Sequence, residues 1–518
     1  MLFCFLANLC TIAGVCLLTF AFTGMKRTAF FVTAFPLGMM WLYSRGWMRT
    51  KKVAVWAMIP TMLLILTTLF GYRWYCDPDA FFIALPQELR WPFYGVVATV
   101  GSCAGLFGHV AFTPEGFHHR WRWYLVTCVT VLLVSLGILV RNAELGFSPE
   151  RMIRTIEYYE QLDQPDRYES QELAGLLSAC GREAEAETIS DVQFETGSKH
   201  IVFPSQLTNV DELPEHIAKS IRPWKQTISR IAETENLIVV MEAHGAPRHR
   251  QWIEQILPIL HRAGFRDYAA EALAKPTQAL QVRGYPTHTT GYYTRDPSFG
   301  NLLRTAIQLG FKCHAYESNS MDYLQREKMQ ARNLAHLISK SPNRKFLVHA
   351  GYAHAYKTPN EMGDQLMAAH LWDLTGIEPY CIYQSWHSPH EIESRRLSQL
   401  VDVNELPVML VPPPNDLLNG QLRFPKNAID ALVVHAPTLD KGPTERVHSF
   451  PKMRRQVRGT WQGNKWPVMI GAFKRGESPN AIALDQVLLR ENERDYTLWV
   501  PRDVDYELRV FDSTGLIR

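Results

Sequence analysis

Apolar residues are unevenly distributed along this chain, and the long uninterrupted hydrophobic runs fall within its first part. A helix that crosses a bilayer needs about 20 apolar residues, because hydrocarbon cannot satisfy an open backbone amide. Five stretches have this character, at residues 2–22, 29–43, 53–70, 94–112 and 123–140. A cleaved signal peptide does not explain them, because the first stretch lacks a basic start and four others follow it. The pattern predicts about five transmembrane helices in residues 1–145.

Basic residues in the short loops predict an orientation for these helices. The second loop, between the second and third stretches, contains Arg45, Arg49, Lys51 and Lys52, whereas the third loop is acidic overall. Arg120 and Arg122 mark the fourth loop, although Lys26 and Arg27 argue for the opposite orientation. Because no Asp, Glu, Lys or Arg lies at mid-depth, the pattern favours an anchor over a transporter. The sequence therefore predicts a multi-pass integral membrane protein whose soluble domain lies on the extracytoplasmic side.

Two further regions flank the middle of the soluble part. Residues 146–234 are polar, with apolar positions three and four apart, which predicts a helical linker or cap that carries no chemistry. Residues 401–518 contain short alternating segments such as 496–500 and 506–511, which is typical of half-buried strands. This second pattern predicts a small β-rich appendage for packing or binding.

Residues 235–400 alternate between short branched apolar runs and amphipathic helices. The run at 236–241 predicts a buried strand, and a helix from about Arg248 ends at Gly264. The same alternation repeats with strands near 267–271, 312–316, 345–349 and 380–384. This rhythm predicts right-handed βαβ crossovers and a mainly parallel sheet. The expected fold class is α/β, with the transmembrane bundle before this domain and the β-rich appendage after it.

Acidic residues and histidines follow the predicted strands where each strand ends. Ligands of such sheets bind beyond the carboxyl ends of the strands, so these side chains are candidates for a shared functional rim. The Tyr- and Gly-rich loop 283–296 adds a histidine that could reach this rim, either as part of a lid or in a plain connection. The candidates are Glu242, His244, Glu271, His288, Glu317, His349 and His354.

Three chemistries fit this set of residues. His244, His354 and Glu271 could hold a divalent transition metal that activates water, with a spare carboxylate as general base. The same imidazoles could ligate haem iron, or they could act without metal as an acid–base pair with a carboxylate. The nine cysteines form no CxxC pair, so a zinc–thiolate site is not expected. A net charge of +3 is too small to predict a nucleic-acid partner.

Residues 235–385 resemble the ChaN / erythromycin-esterase / TraB–TIKI superfamily. That superfamily is marked by two GxxH motifs, a Glu after the second strand and an Arg on a later helix. The matching segments here are 239–244, the strand that ends at Glu271, the helix with Arg326, and Gly351 to His354. The loop 296–300 and residues 375–377 add to the likeness. Met241 departs from the pattern, because the superfamily places Gly at that position.

The resemblance implies a site made of His244, Glu271 and His354, with Glu242 as a catalytic carboxylate and Arg326 as a clamp for an anion or carbonyl. Members differ in activity, since TIKI-type proteins resemble metal-dependent proteases, esterase-type proteins open macrolactones and ChaN-type proteins bind haem. The expected function is that of a membrane-anchored hydrolase-like protein, with or without metal. Its expected substrates are ester or peptide bonds of a small molecule or peptide outside the cytoplasm. A haem- or metal-binding protein without turnover and an inactive scaffold are the alternatives.

Overall fold

The central strand of the fold is the apolar run Leu237–Glu242, in which all six residues are buried. Branched side chains on both sides of a strand are typical of a sheet that is covered on both faces. The computed structural model describes residues 148–163, 165, 167–189, 215–318, 320, 322–341, 343–360, 362–384, 407–413, 427–436, 442–446 and 448–517. Residues Phe147–Arg518 form one compact unit.

The α-helices with defined ends are α1 Pro149–Glu160, α2 Arg167–Ala179, α3 Glu215–Ala218, α4 Trp224–Thr234, α5 Pro247–Arg262, α6 Gln278–Arg283, α7 Pro297–Gln308, α8 Tyr323–Ser339 and α9 Met367–Thr375. The strands are β1 Ile221–Pro223, β2 Leu237–Glu242, β3 Phe265–Ala270, β4 Lys312–Ala315, β5 Lys345–Gly351, β6 Tyr380–Gln384, β7 Val408–Leu410, β8 Ala431–Val434, β9 Arg454–Thr460, β10 Val468–Lys474, β11 Asp485–Leu489, β12 Asp495–Pro501, β13 Tyr506–Asp512 and β14 Gly515–Leu516.

The main sheet has eight strands in the order β1-β7-β8-β6-β2-β5-β3-β4. Strands β4, β3, β5, β2, β6 and β8 run parallel to one another, whereas β7 is antiparallel to both β8 and β1. The sheet is therefore mixed. Strand β1 lies in the region expected to be a helical cap, and β7 and β8 lie in the region expected to be an appendage. All three are only three or four residues long, so their sequences carry little periodicity.

Helices cover both faces of this sheet. One face packs against α4, α5 and α7 through side chains such as Trp252, Leu257 and Phe299. The other face packs against α8 and α9 through side chains such as Leu334 and Leu371. Because successive residues of a strand point to opposite faces, β2 contributes Val240 to the first face and its neighbours to the second. The carboxyl ends of β2, β3 and β5 consequently meet at one edge between two helical layers.

The C-terminal strands form two further antiparallel sheets, β11-β10-β13-β14 and β12-β9, which we call the β module. The β module shares an apolar core with α1 and α2, in which Ile153 and Leu177 pack with Phe473 and Leu488. Ion pairs reinforce this contact, since Arg182 binds Glu493 at 2.8 Å. Helices α1 and α2 therefore fold against the C-terminal strands.

The structure contradicts the predicted integral membrane architecture and the multi-pass localisation. Within the described residues, no helix combines the length and the apolar character that crossing a bilayer requires. Helices α4, α5, α7, α8 and α9 instead pack against the two faces of the sheet. The five apolar stretches between residues 2 and 140 lie outside the described residues.

Candidate active site

Strand β2 ends by delivering a carboxylate and an imidazole to the sheet edge. Glu242 is the last residue of β2, and the chain turns immediately afterwards so that His244 Nδ1 lies 3.0 Å from Glu242 Oε1. The ring of Tyr293 stacks on the His244 ring, with centroids 3.9 Å apart and planes 13° apart. Stacking and the carboxylate together hold the imidazole in one orientation.

Glu242 is a fixed anion beneath this imidazole. Arg250, on α5, donates to both of its oxygens at 2.7 Å, and His349 Nε2 lies 2.8 Å from Oε2. Burial would raise the pKa of Glu242, but the charge of Arg250 and its hydrogen bonds hold that pKa well below its usual range. With His244, three hydrogen-bond donors and the His349 imidazole surround a carboxylate that has about four acceptor positions. Glu242 therefore contacts His244 from beneath, and its expected catalytic role stays a prediction.

A second ion pair secures Arg250 from the other side. Its Nη1 donates to Asp296, whose second oxygen accepts the backbone N–H of Ser298 at 2.7 Å and so caps α7. Burial raises the pKa of Asp296, and the Arg250 charge opposes that shift. The guanidinium is 1% exposed, so both carboxylates are neutralised inside the protein.

Glu271 follows β3 and lies at the centre of the site. Its Oε2 accepts the backbone N–H of Gly351 at 2.7 Å, and its Oε1 accepts a hydrogen bond from Arg326 Nη2. His354 Nε2 is 3.7 Å from the same Oε1. Burial opposes ionisation of Glu271, but the charges of His354, His244 and Arg326 lower its pKa to about 2. Glu271 is therefore a carboxylate at neutral pH.

His354 forms a second imidazole–carboxylate pair. It lies in the short 3₁₀ helix Tyr352–Ala355 after β5, and its Nδ1 is 2.7 Å from Oε1 of Glu327 on α8. Glu327 is fully buried, and its other oxygen accepts the N–H of Met367 at 2.8 Å. Burial would lower the pKa of His354, but Glu271 and Glu327 outweigh burial and raise the pKa. The protonated form of this imidazole is thus stabilised.

Gly351 allows these groups to approach one another. A Cβ atom at this position would lie 2.6 Å from His244 Nε2 and 3.1 Å from Glu271 Oε2, so both groups contact the same point of the backbone. The departure at Met241 has no such effect, because its side chain is fully buried on the opposite face of the sheet, among residues of α8 and α9. The glycine that this site requires is therefore the one at 351.

Arg326 reaches the site from α8. Glu317 binds its Nε at 3.0 Å, and Gln330 donates to the same carboxylate at 2.9 Å. Burial would lower the pKa of Arg326, but hydrogen bonds with Glu317 and the charge of Glu271 raise it. Arg326 Nη1 is 3.5 Å from His354 Nε2, so a positive group lies beside the imidazole.

A cavity of about 570 Å³ is lined by His244, Glu271, Glu317, Arg326 and His354. Sequence reasoning missed its aromatic wall, formed by Tyr292, Tyr293 and Tyr323, and the contribution of Gln171 from α2. The Tyr-rich loop was a usable signal for two of the tyrosines. Nothing in the polar helical pattern of α2 indicated Gln171, although Glu172 beside it binds Arg295 at 2.8 Å and ties α2 to this loop.

The structure brings most of the predicted site residues to this cavity, while their predicted roles stay predictions. His244, Glu271, Glu317, Arg326 and His354 line it. Glu242 and His349 lie behind it, each 2% exposed. His288 lies elsewhere, because its backbone N–H binds Asn480 of the β module at 3.1 Å and its loop pairs with that module. Burial, followed by the charge of Arg509, lowers the pKa of His288 to about 4.

The donor set does not fit a metal ion. Across the described residues, no group of three or more His, Cys, Asp or Glu side chains is arranged to hold one. In the cavity, both oxygens of Glu271 already accept hydrogen bonds, and one of the donors is the Arg326 guanidinium. A cation therefore already neutralises the carboxylate that the expected metal would need.

Comparisons with known proteins give a limited result. No protein-family model matches this chain, and no curated protein sequence matches it. Among solved structures, RRSP, a MARTX toxin effector domain from Vibrio vulnificus, is 14% identical over 30% of this chain and 35% of its own, with a TM-score of 0.24. The type III effector HopBA1 is 14% identical over 34% of this chain and 89% of its own, with a TM-score of 0.26. A structure described as bacterial protein toxins is 13% identical over 67% of this chain and 93% of its own, with a TM-score of 0.25. The match thus spans about a third of the RRSP domain, and at these TM-scores the likenesses carry no argument.

Proposed function

We propose that this protein hydrolyses an ester or amide carbonyl with His244 and His354 as its acid–base pair. One observation carries the proposal: two imidazoles, each with Nδ1 against a buried carboxylate, line one cavity around the ionised Glu271. An imidazole oriented through Nδ1 presents Nε2 for proton transfer, which is the arrangement used in acyl transfer. The proposal requires no metal ion.

The two imidazoles have different tasks. Because Glu242 is an anion, His244 Nδ1 donates to it, and the basic nitrogen is then Nε2. His354 is the general acid, since Glu271 and Glu327 stabilise its protonated form. Arg326 lies beside His354 and supplies the positive charge that a developing oxyanion requires.

The reaction proceeds through a tetrahedral intermediate. His244 Nε2 removes a proton from water as the water oxygen bonds to the carbonyl carbon, and the carbonyl electron pair moves onto oxygen near Arg326. Collapse of the intermediate breaks the C–O or C–N bond, while His354 Nε2 gives its proton to the leaving group. His244 then releases its proton to solvent and His354 regains one, so no net charge accumulates. The cavity volume is within the range of about 300–1,000 Å³ typical of small-molecule sites, which favours a small ester or a short peptide segment.

The test uses the purified full chain with two probes, p-nitrophenyl butyrate for ester hydrolysis and fluorescein-labelled casein for peptide hydrolysis. The variants are His244→Asn and His354→Asn, with the exposed His336 on α8 changed to Asn as the matched control. General acid–base catalysis contributes about 10²- to 10⁴-fold, so each site variant should lose at least about 100-fold in kcat/KM. Wild-type rates in a folded site variant, or no turnover of either probe by the unmodified protein, contradict the proposal. Haemin added to the same preparations distinguishes the haem-binding alternative by a Soret band that depends on either histidine.

A further inference from the structure

A chain of three buried polar side chains runs beneath His244, across the middle of the main sheet. Tyr268 on β3, His349 on β5 and Glu242 on β2 belong to neighbouring strands, because β5 lies between β2 and β3. Their side chains share the sheet face covered by α5 and α7. Tyr268 Oη is 2.7 Å from His349 Nδ1, and His349 Nε2 is 2.8 Å from Glu242 Oε2. This chain reaches His244 without itself lining the cavity.

The direction of the hydrogen bonds in this chain follows from the chemistry of its ends. Burial raises the pKa of Tyr268 well above its ordinary value, so the phenol keeps its proton and donates it to Nδ1. A neutral imidazole that accepts at Nδ1 carries its own proton on Nε2. That nitrogen faces Oε2 of Glu242 at 2.8 Å, an ion-pair contact whose angle lies outside that of a hydrogen bond. The ring of Phe299 stacks on His349, with centroids 5.2 Å apart and planes 16° apart. This stacking fixes the plane of the His349 ring.

We propose that His349 is a positioning residue that acts through Glu242 to keep the His244 proton on Nδ1. The inference rests on the proposed function for its kinetic consequence, whereas the tautomer itself does not depend on turnover. Oε1 of Glu242 serves His244 and Arg250, and Oε2 serves His349 and Arg250. Without the donor at Oε2, the carboxylate loses one of the contacts that fix its plane. His244 then populates the tautomer with its proton on Nε2. In that tautomer Nε2 has no free electron pair, so it cannot accept a proton from water.

The decisive variants differ in whether they retain a donor at this position. His349→Gln places an amide N–H near the former Nε2, whereas His349→Leu removes the donor and keeps an apolar volume. Tyr268→Phe removes only the phenolic hydroxyl group, whose proton fixes the His349 tautomer. The exposed His336, changed to Leu, is the control for loss of a histidine elsewhere.

Two measurements on the full chain give the test. Ring ¹⁵N NMR of histidine-labelled protein reports the His244 tautomer, with the signal assigned by its loss in His244→Asn. The pH profile of kcat/KM reports the ionisation that governs turnover. Partners that orient the histidines of metal sites are typically worth about 10- to 100-fold in activity. We expect the same scale here, so His349→Leu should lose at least about tenfold in kcat/KM and displace the acid limb of the profile. His349→Gln should remain within about threefold of wild type, because it keeps the donor.

Each outcome bears on one of the two proposals. The inference is supported when the His244 signals of His349→Leu or Tyr268→Phe change towards the Nε2–H form while those of His349→Gln do not. It is overturned when His244 keeps its tautomer in every folded variant, whatever the kinetics. If the tautomer responds but no probe is hydrolysed, the proposed function fails and the positioning role stands. If His349→Leu does not fold, Tyr268→Phe and His349→Gln decide the matter.

Discussion

Replacing Gly351 with alanine tests the geometry of the site more directly than removing any of its functional groups. The new methyl carbon would lie 2.5 Å from His244 Cε1 and 2.6 Å from its Nε2. Optimal contacts between such atoms are about 3.5–4.0 Å, so the imidazole must retreat by about 1 Å or the backbone must shift. Glu271 Oε2, at 3.1 Å from the same methyl carbon, restricts the alternative movement.

The expected effects follow from that displacement. A misplacement of about 1 Å can reduce catalysis by about 10²-fold, so kcat/KM of Gly351→Ala should fall by about two orders of magnitude. Overpacking of this kind typically costs about 1–3 kcal/mol, which sets the expected loss in the free energy of unfolding. The first quantity is measured with the ester probe and the second by denaturant titration of the full chain.

Gly245 provides the matched control, because it adjoins His244 and a Cβ added there would meet nothing within 4 Å. Gly245→Ala should therefore retain both wild-type turnover and wild-type stability. The reasoning is refuted if the alanine variants at 351 and 245 behave alike in both measurements, because the close approach at Gly351 would then have no physical consequence.

Three further predictions concern charge in and around the site. Arg250→Met leaves Glu242 and Asp296 buried without their cation, so denaturant titration should show that the free energy of unfolding falls by about 3–5 kcal/mol. The control Arg332→Met, at an exposed position, should change that free energy little. Equal stabilities of the two variants would count against the buried network. The folded pKa of Glu271 is about 2 against an ordinary 4.5, so its ionisation stabilises the fold above about pH 4.5, and that contribution is lost as the pH falls towards 2. In Glu271→Gln, the free energy of unfolding should depend less on pH between about 4.5 and 2. An unchanged pH dependence of the free energy of unfolding would contradict the lowered pKa. Treatment with EDTA should leave turnover and the unfolding midpoint unchanged, because the described residues offer no three-ligand group; loss of either on chelation would show a resident metal.

The rule that polar residues gather at the carboxyl ends of parallel strands was informative about the location of the site. Glu242, Glu271 and His354 follow three different strands, and this alone placed them at one edge of the sheet. The rule could not separate residues that line the cavity from those beneath it. His349 was expected at the rim, but β5 continues past it to Gly351, so the imidazole is buried within the sheet.

Other features had no adequate signal in the sequence. Gln171 lies on a polar helix whose role depends on packing with the β module, and such long-range contacts leave no periodic trace. The ligand set expected for a metal stays a prediction, but residue types alone gave no sign that Arg326 binds Glu271. The expected membrane architecture rested on residues 2–140, and apolar length there says nothing about the helices of the described part, none of which could cross a bilayer.

Helix α2 packs against the β module, so residues far along the chain hold one side of the cavity in place. Arg182 joins the end of the cavity-lining helix segment to Glu493, and Arg490 joins Glu160 and Glu185 to the same module. Substitutions in these distant pairs would shift the Gln171 side of the cavity and leave the reacting imidazoles in place. A genetic selection for altered substrate range would therefore recover substitutions in the β module. Mutagenesis confined to the residues around His244 and His354 would miss them.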